Sequence, residues 1–105
     1  MNTRTLVIGR SPEVNRSVVG PLLDAGIDAQ GSTQPEQASR RFDAGQFDLI
    51  AFGLGVPGPL RDRLKREFTA QNPGIRFADV FAPVAVRQIL AALTGDQPQQ
   101  QPRRV

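Results

Sequence analysis

Four residue types that carry much of protein chemistry are absent from this chain of 105 residues: cysteine, histidine, tyrosine and tryptophan. Without cysteine there is no disulfide framework and no thiolate chemistry, so a reducing cytoplasm is the expected environment. Without histidine the chain lacks the commonest general base and the commonest metal ligand. The apolar run near the N-terminus, Leu6-Val7-Ile8, is far too short for a signal sequence or a membrane span. We therefore expect a cytoplasmic protein that does not associate with membranes.

The composition predicts a globular domain, with 39% hydrophobic and 22% charged residues. The net charge is only +3, and acidic residues are interspersed among the basic ones. Four bases fall within residues 61–66, but Asp62 and Glu67 lie among them, which is typical of a solvated helix face. Nucleic-acid binding is therefore not indicated.

Four short apolar runs alternate with helical patterns along residues 5–93. The runs predict strands at residues 5–8, 27–32, 49–52 and 75–81, of which 27–32 is polar enough for an edge. Strict alternation of strands and helices indicates a parallel sheet with right-handed crossovers. We predict a flavodoxin-like α/β sandwich of three layers, with strand order 2-1-3-4 and two helices on each face.

The helices have recognisable limits. The first begins at the capping sequence Ser11-Pro12-Glu13, ends near Gly26, and carries an apolar stripe of Val14, Val18 and Leu22. Gly20-Pro21 predicts a kink or a tightened turn within it. The second helix is expected to be short, running from about residue 36 to residue 44. The domain is predicted to span residues 1–95, followed by a disordered Gln/Pro-rich tail at 96–105.

Two glycine-containing loops follow the first and third strands, at the edge of the sheet where open α/β folds bind ligands. A dinucleotide-binding loop would need further glycines after Gly9, but Ser11 and Val14 occupy those positions. A site for a nucleotide or another anion, made by Gly9, Arg10, Ser11, Gly53 and Gly55, stays open as an alternative. The simpler interpretation of the first loop is a capped helix start.

The central stretch, Asp48-Leu49-Ile50-Ala51-Phe52-Gly53-Leu54-Gly55-Val56-Pro57-Gly58, resembles the third strand and following loop of response-regulator receiver domains. The turns at residues 22–26, 43–48 and 70–74 agree with that family, so the resemblance covers about residues 5–93. It implies a receiver fold and a role in signal transduction. Receivers have five strand–helix units, whereas this chain has four and would be a shortened member.

The same resemblance implies that the receiver's chemistry is missing. Gly53 stands at the position of the phosphorylated aspartate, and Gly9-Arg10 stands where an acidic pair holds magnesium. Ala82-Pro83 replaces the Lys-Pro that follows a receiver's last strand. We expect a degenerate receiver without catalytic residues, metal or cofactor, which regulates through contacts with an unidentified protein partner. It would not be an enzyme.

The last strand is expected to form an open edge of the sheet, since no fifth strand follows it. Open edges attract other strands unless charge, a bulge or a partner protects them. The sequence therefore predicts a homodimer in which the 75–81 edge is buried, with Ile75, Phe77, Val80 and Phe81 as interface candidates.

Overall fold

A sheet of four parallel strands organises the molecule. The computed structural model describes residues 3–94, and its strands are β1 (Arg4–Ile8), β2 (Asp28–Ser32), β3 (Leu49–Phe52) and β4 (Arg76–Asp79). The strand order is β2-β1-β3-β4, and each neighbouring pair is parallel. The predicted order is therefore confirmed: the chain starts inside the sheet, adds β2 on one side and then builds outward on the other.

Helices cover both faces of this sheet. They are α1 (Pro12–Asp24), α2 (Ala38–Arg41), α3 (Gly58–Gln71) and α4 (Ala85–Thr94). One core lies between the sheet and α2 and α3, and a second lies between the sheet and α1 and α4. Strand β3 is buried along its whole length and contributes to both cores, as expected for a central parallel strand. The predicted three-layer arrangement with two helices on each face is confirmed.

Helix α1 shows how local signals set the limits of an element. Its first turn is capped by Ser11, whose Oγ accepts a hydrogen bond from the amide of Val14 at 3.3 Å. After the helix ends, Gly26 adopts a φ of 85°, which glycine tolerates best. Helix α1 continues through Gly20 and Pro21, so these residues do not end it, and the predicted kink or tightened turn stays a prediction. Pro21 is exposed, so this break in the hydrogen-bond ladder faces water.

Two elements are shorter than the sequence predicts. Helix α2 is a single turn of four residues, because Phe42 is extended and the Asp43 side chain accepts a hydrogen bond from the amide of Gly45 in the next turn. Strand β4 covers Arg76–Asp79 rather than residues 75–81. Beyond its end, the amide of Phe81 donates to the side chain of Gln88 in α4 instead of a strand partner.

The helices within residues 3–94 are all too short or too polar to cross a membrane. The predicted disordered tail, residues 96–105, lies outside the described residues.

Candidate functional site

A cavity of about 300 Å³ opens at the carboxyl edge of the sheet, between the ends of β1, β3 and β4. It lies where the chain changes direction within the sheet, the usual ligand position in this class of fold. All five residues that the sequence analysis named as ligand candidates line it: Gly9, Arg10, Ser11, Gly53 and Gly55. The fold thus brings them together in one place, whereas anion binding by them stays a prediction.

The walls of this cavity, which we call the edge pocket, are mainly apolar. Val7, Val18, Val80 and Ala85 contribute buried apolar side chains. Among residues 3–94, no Asp or Glu lines the cavity. An apolar wall cannot replace the water that surrounds a phosphate group, so the pocket is poorly suited to anions.

Three large apolar side chains at the edge pocket are exposed to solvent. Val14 is 45% exposed, Leu54 68% and Phe81 51%. The prediction that Val14 belongs to the buried stripe of α1 was therefore wrong. The buried residues of that helix are Asn15, Val18 and Leu22, so Val14 lies beside the buried face and not on it. Within residues 3–94 only Leu23 and Val84 are comparable exposed apolar residues. Three of the five large exposed apolar side chains in residues 3–94 thus lie at one cavity.

Arg10 does not offer its charge to the pocket, because its guanidinium is already engaged. Its Nε donates to the carbonyl oxygen of Gly55 at 3.2 Å, and its Nη1 donates to Glu36 Oε1 at 3.3 Å. A second contact completes a two-point ion pair with the Glu36 carboxylate. The hydrogen bond from Arg10 lowers the pKa of Glu36, and the same bond raises the pKa of Arg10. Sequence reasoning missed Glu36, which lies on a different loop.

Asn15 holds the inner wall of the pocket in place. Its side chain is buried, and Nδ2 donates to the carbonyl oxygens of Val7 at 3.0 Å and Ser32 at 3.4 Å. It therefore ties α1 to the ends of β1 and β2. Gly31 makes room for it, since a Cβ on Gly31 would lie 1.8 Å from Asn15 Oδ1. Sequence reasoning overlooked Asn15, although its spacing from Val18 and Leu22 places it on the buried face.

The position expected for a phosphoacceptor is at the pocket and carries no side chain. Gly53 follows β3 directly, and its amide donates to the carbonyl oxygen of Ile8 at 2.9 Å. Across residues 3–94, no group of three His, Cys, Asp or Glu side chains is arranged to hold a metal ion.

The interface candidates lie in different environments. Ile75 and Val80 are buried in the two cores of the monomer, at 8% and 3% exposure. Phe77 is half-buried and packs on Phe52, with ring centroids 5.8 Å apart. Phe81 alone among the four is largely exposed, and it borders the edge pocket. Strand β4 is an edge strand of the described sheet, and self-association through it stays a prediction.

Three of the four basic residues of α3 have local acidic partners. Arg61 and Lys65 each approach a carboxylate oxygen of Asp79 to 3.6 Å, and Arg63 approaches Glu67 to 3.6 Å. These pairings are consistent with a solvated helix face and give no sign of a surface for nucleic acid.

A solved structure of the Vibrio cholerae chemotaxis protein CheY4 is similar to this chain. The similarity covers 90% of this chain and 98% of that one, with a TM-score of 0.59 and 16% sequence identity. The fold is receiver-like. At this identity the similarity describes the fold and does not extend to activity. No protein-family model matches the chain, and no curated protein matches it.

Proposed function

We propose that this protein is a degenerate receiver-like regulatory module that acts through protein contacts and performs no phosphoryl transfer. The observation that carries the proposal is the position of Arg10. Its guanidinium bridges Glu36 and the Gly55 carbonyl at the carboxyl edge of the sheet, beside Gly53. A fixed cation thus stands at the edge where phosphoryl transfer would need a metal cation.

The chemistry of phosphoryl transfer explains why this matters. Transfer to a carboxylate requires a nucleophile, and Mg²⁺ must neutralise the charge on the phosphoryl oxygens. Gly53 supplies no nucleophile. The guanidinium of Arg10 would repel Mg²⁺, and the nearby Glu36 carboxylate is already paired with that guanidinium. The apolar walls of the edge pocket add no ligand for a metal. These features support a regulatory role without catalysis, and the cysteine-free sequence supports a cytoplasmic location.

The second candidate function is a small nucleotide- or anion-binding protein that uses the loops after β1 and β3. Its five candidate residues do meet at one cavity. However, the paired state of Arg10 and the apolar lining favour the first proposal. Thermal-shift measurements with nucleotides, nicotinamide cofactors and inorganic phosphate distinguish the two, because a large shift would favour the second.

A single substitution tests the first proposal directly. A Cβ added at Gly53 would meet only the Ile8 carbonyl oxygen, at 3.6 Å, so Gly53→Asp restores a carboxylate with little disturbance of the backbone. We expect mass spectrometry after incubation with acetyl phosphate and Mg²⁺ to show no added phosphoryl group in the wild type or in Gly53→Asp.

The matched control rebuilds the acidic pair as well. A Cβ at Gly9 meets no atom within 4 Å, so the triple variant Gly9→Asp, Arg10→Asp, Gly53→Asp should retain the fold. We expect this variant to bind Mg²⁺, whereas Gly53→Asp should not. Phosphorylation of the wild type, or of Gly53→Asp alone, would refute the proposal.

A further inference from the structure

We propose that the edge pocket binds an uncharged, largely apolar small molecule of about two fused rings. This goes beyond the regulatory role proposed above, because it gives the module a ligand where receivers accept a phosphoryl group. The inference depends on the size of the cavity, the pairing of its polar atoms and the exposure of its apolar rim.

The size of the cavity fits a small organic molecule. Its volume of about 300 Å³ is at the lower end of the range of small-molecule pockets. An apolar cavity of about 150 Å³ accepts benzene, so twice that volume has room for about two rings. The pocket also lies at the topological switch point of the sheet, where ligands of open α/β folds bind.

Several polar groups around the cavity are already paired, which disfavours charged ligands. The amides of Gly9 and Gly53 donate to Ser32 and Ile8, and Asn15 Nδ2 donates to strand carbonyls. An anion would have to displace Glu36 from Arg10, and a cation would meet that guanidinium. The Ser11 hydroxyl accepts from the Val14 amide and keeps its own proton to donate. One neutral hydrogen-bond acceptor or hydroxyl on the ligand would therefore satisfy the Ser11 hydroxyl.

The exposed rim provides the driving force for binding. Val14, Leu54 and Phe81 keep much of their apolar surface in water. A ligand that contacts these side chains would remove that surface from water, and the free energy gained is roughly proportional to the area covered. Such a patch around a concave site is typical of a binding surface.

The probe for this site is 2-naphthol, with 2-naphthoate as a control that has the same rings and a carboxylate. We expect 2-naphthol to cause saturable chemical-shift changes in the amide NMR spectrum of the full chain at neutral pH. The changes should be concentrated at Gly9, Val14, Gly53, Leu54 and Phe81. We expect 2-naphthoate and inorganic phosphate to bind at least about tenfold more weakly, since an unpaired charge would enter an apolar site.

Two variants locate the probe, each with the NMR spectrum as a check of folding. Gly53→Leu places a side chain at the pocket and should weaken binding at least about tenfold. Leu54→Asn replaces an apolar side chain at the exposed rim with a polar one, and it should weaken binding about threefold to tenfold. Leu23→Asn is the matched control: Leu23 is 52% exposed on α1 but does not line the pocket, so binding should not change.

Several results would overturn this inference. They are the absence of saturable binding, equal or tighter binding of 2-naphthoate, and binding that Gly53→Leu leaves unchanged. Dissociation of a dimer by 2-naphthol in sedimentation would also overturn it, because a second copy would then be the natural occupant. None of these results depends on phosphorylation, so the proposed regulatory function can fail or survive separately.

Discussion

The close approach of Gly31 to Asn15 makes a strong prediction about stability. A methyl group at Gly31 would lie 1.8 Å from Asn15 Oδ1 and 2.8 Å from its Cγ. Atoms cannot approach this closely, so the Asn15 side chain must move if Gly31 becomes alanine. Asn15 is buried, which leaves it little room to do so. Its hydrogen bonds to Val7 and Ser32 would then be lost or weakened.

The size of the effect follows from these contacts. Steric overlap in a packed site costs about 1–3 kcal/mol, and each lost internal hydrogen bond costs about 1 kcal/mol. We expect Gly31→Ala to lower the free energy of unfolding by about 2–4 kcal/mol. Asn15→Ala alone should lower it by about 1–3 kcal/mol, because strand carbonyls lose their donor.

Urea unfolding of the two single variants and the double variant tests the mechanism. Once Asn15 is replaced by alanine, the methyl group introduced by Gly31→Ala no longer meets it, so the double variant should be about as stable as Asn15→Ala. The resulting coupling energy should then equal the loss caused by Gly31→Ala alone, about 2–4 kcal/mol. Gly20→Ala is the matched control: its Cβ meets no atom within 4 Å, and alanine in a helix should raise stability by about 0.5–1 kcal/mol.

Two outcomes would show that Gly31 and Asn15 do not compete for space. One is a Gly31→Ala protein as stable as the wild type. The other is a double variant whose losses simply add, which would mean that the two residues do not compete for the same space.

Three further predictions concern other parts of the molecule. Within residues 3–94 the buried Oγ1 of Thr5 has no hydrogen-bond partner, so Thr5→Val should raise the free energy of unfolding by about 1 kcal/mol in urea; a loss of stability would contradict this. The hydrogen bond from Arg10 lowers the Glu36 pKa below its usual 4.5, so the pairing stabilises the fold above the unfolded-state pKa and is lost as pH falls through the lower folded value. NMR titration of Glu36 should show a midpoint below 4.5 that rises in Arg10→Gln, and an unchanged midpoint would refute the pairing. Sedimentation at micromolar concentrations should show a dimer that Phe77→Glu weakens, and a wild-type monomer or an unaltered dimer in Phe77→Glu would end the edge-strand hypothesis.

The sequence was sufficient for the fold because the signals that define it are local. Ser11-Pro12 caps α1, the apolar run 49–52 marks a strand covered on both faces, and Gly26 ends a helix. Strand order follows from the flavodoxin-like pattern, in which the chain starts inside the sheet, adds one strand on one side and then builds outward on the other. None of these inferences requires knowledge of which side chains meet.

The site was less predictable because it depends on contacts between distant residues. Glu36 lies 26 positions from Arg10, and no local pattern links an arginine in one loop to a carboxylate in another. Periodicity also treats every apolar residue as core, so it assigned Val14 to the core and Phe81 to a strand. Both lie around the edge pocket instead. The end of β4 is set by the Gln88 side chain, which sequence patterns do not reveal.

A receiver-like fold that has no phosphorylation site, and carries an apolar pocket at the same edge, should respond neither to Mg²⁺ nor to a phosphoryl donor. The most direct measurement is the amide NMR spectrum of the wild-type protein during addition of Mg²⁺ and then acetyl phosphate. We predict that the signals of residues 9–11 and 53–55 stay in place throughout. Movement of these signals with Mg²⁺, or a new set of signals with acetyl phosphate, would show that the edge still holds a working phosphorylation site.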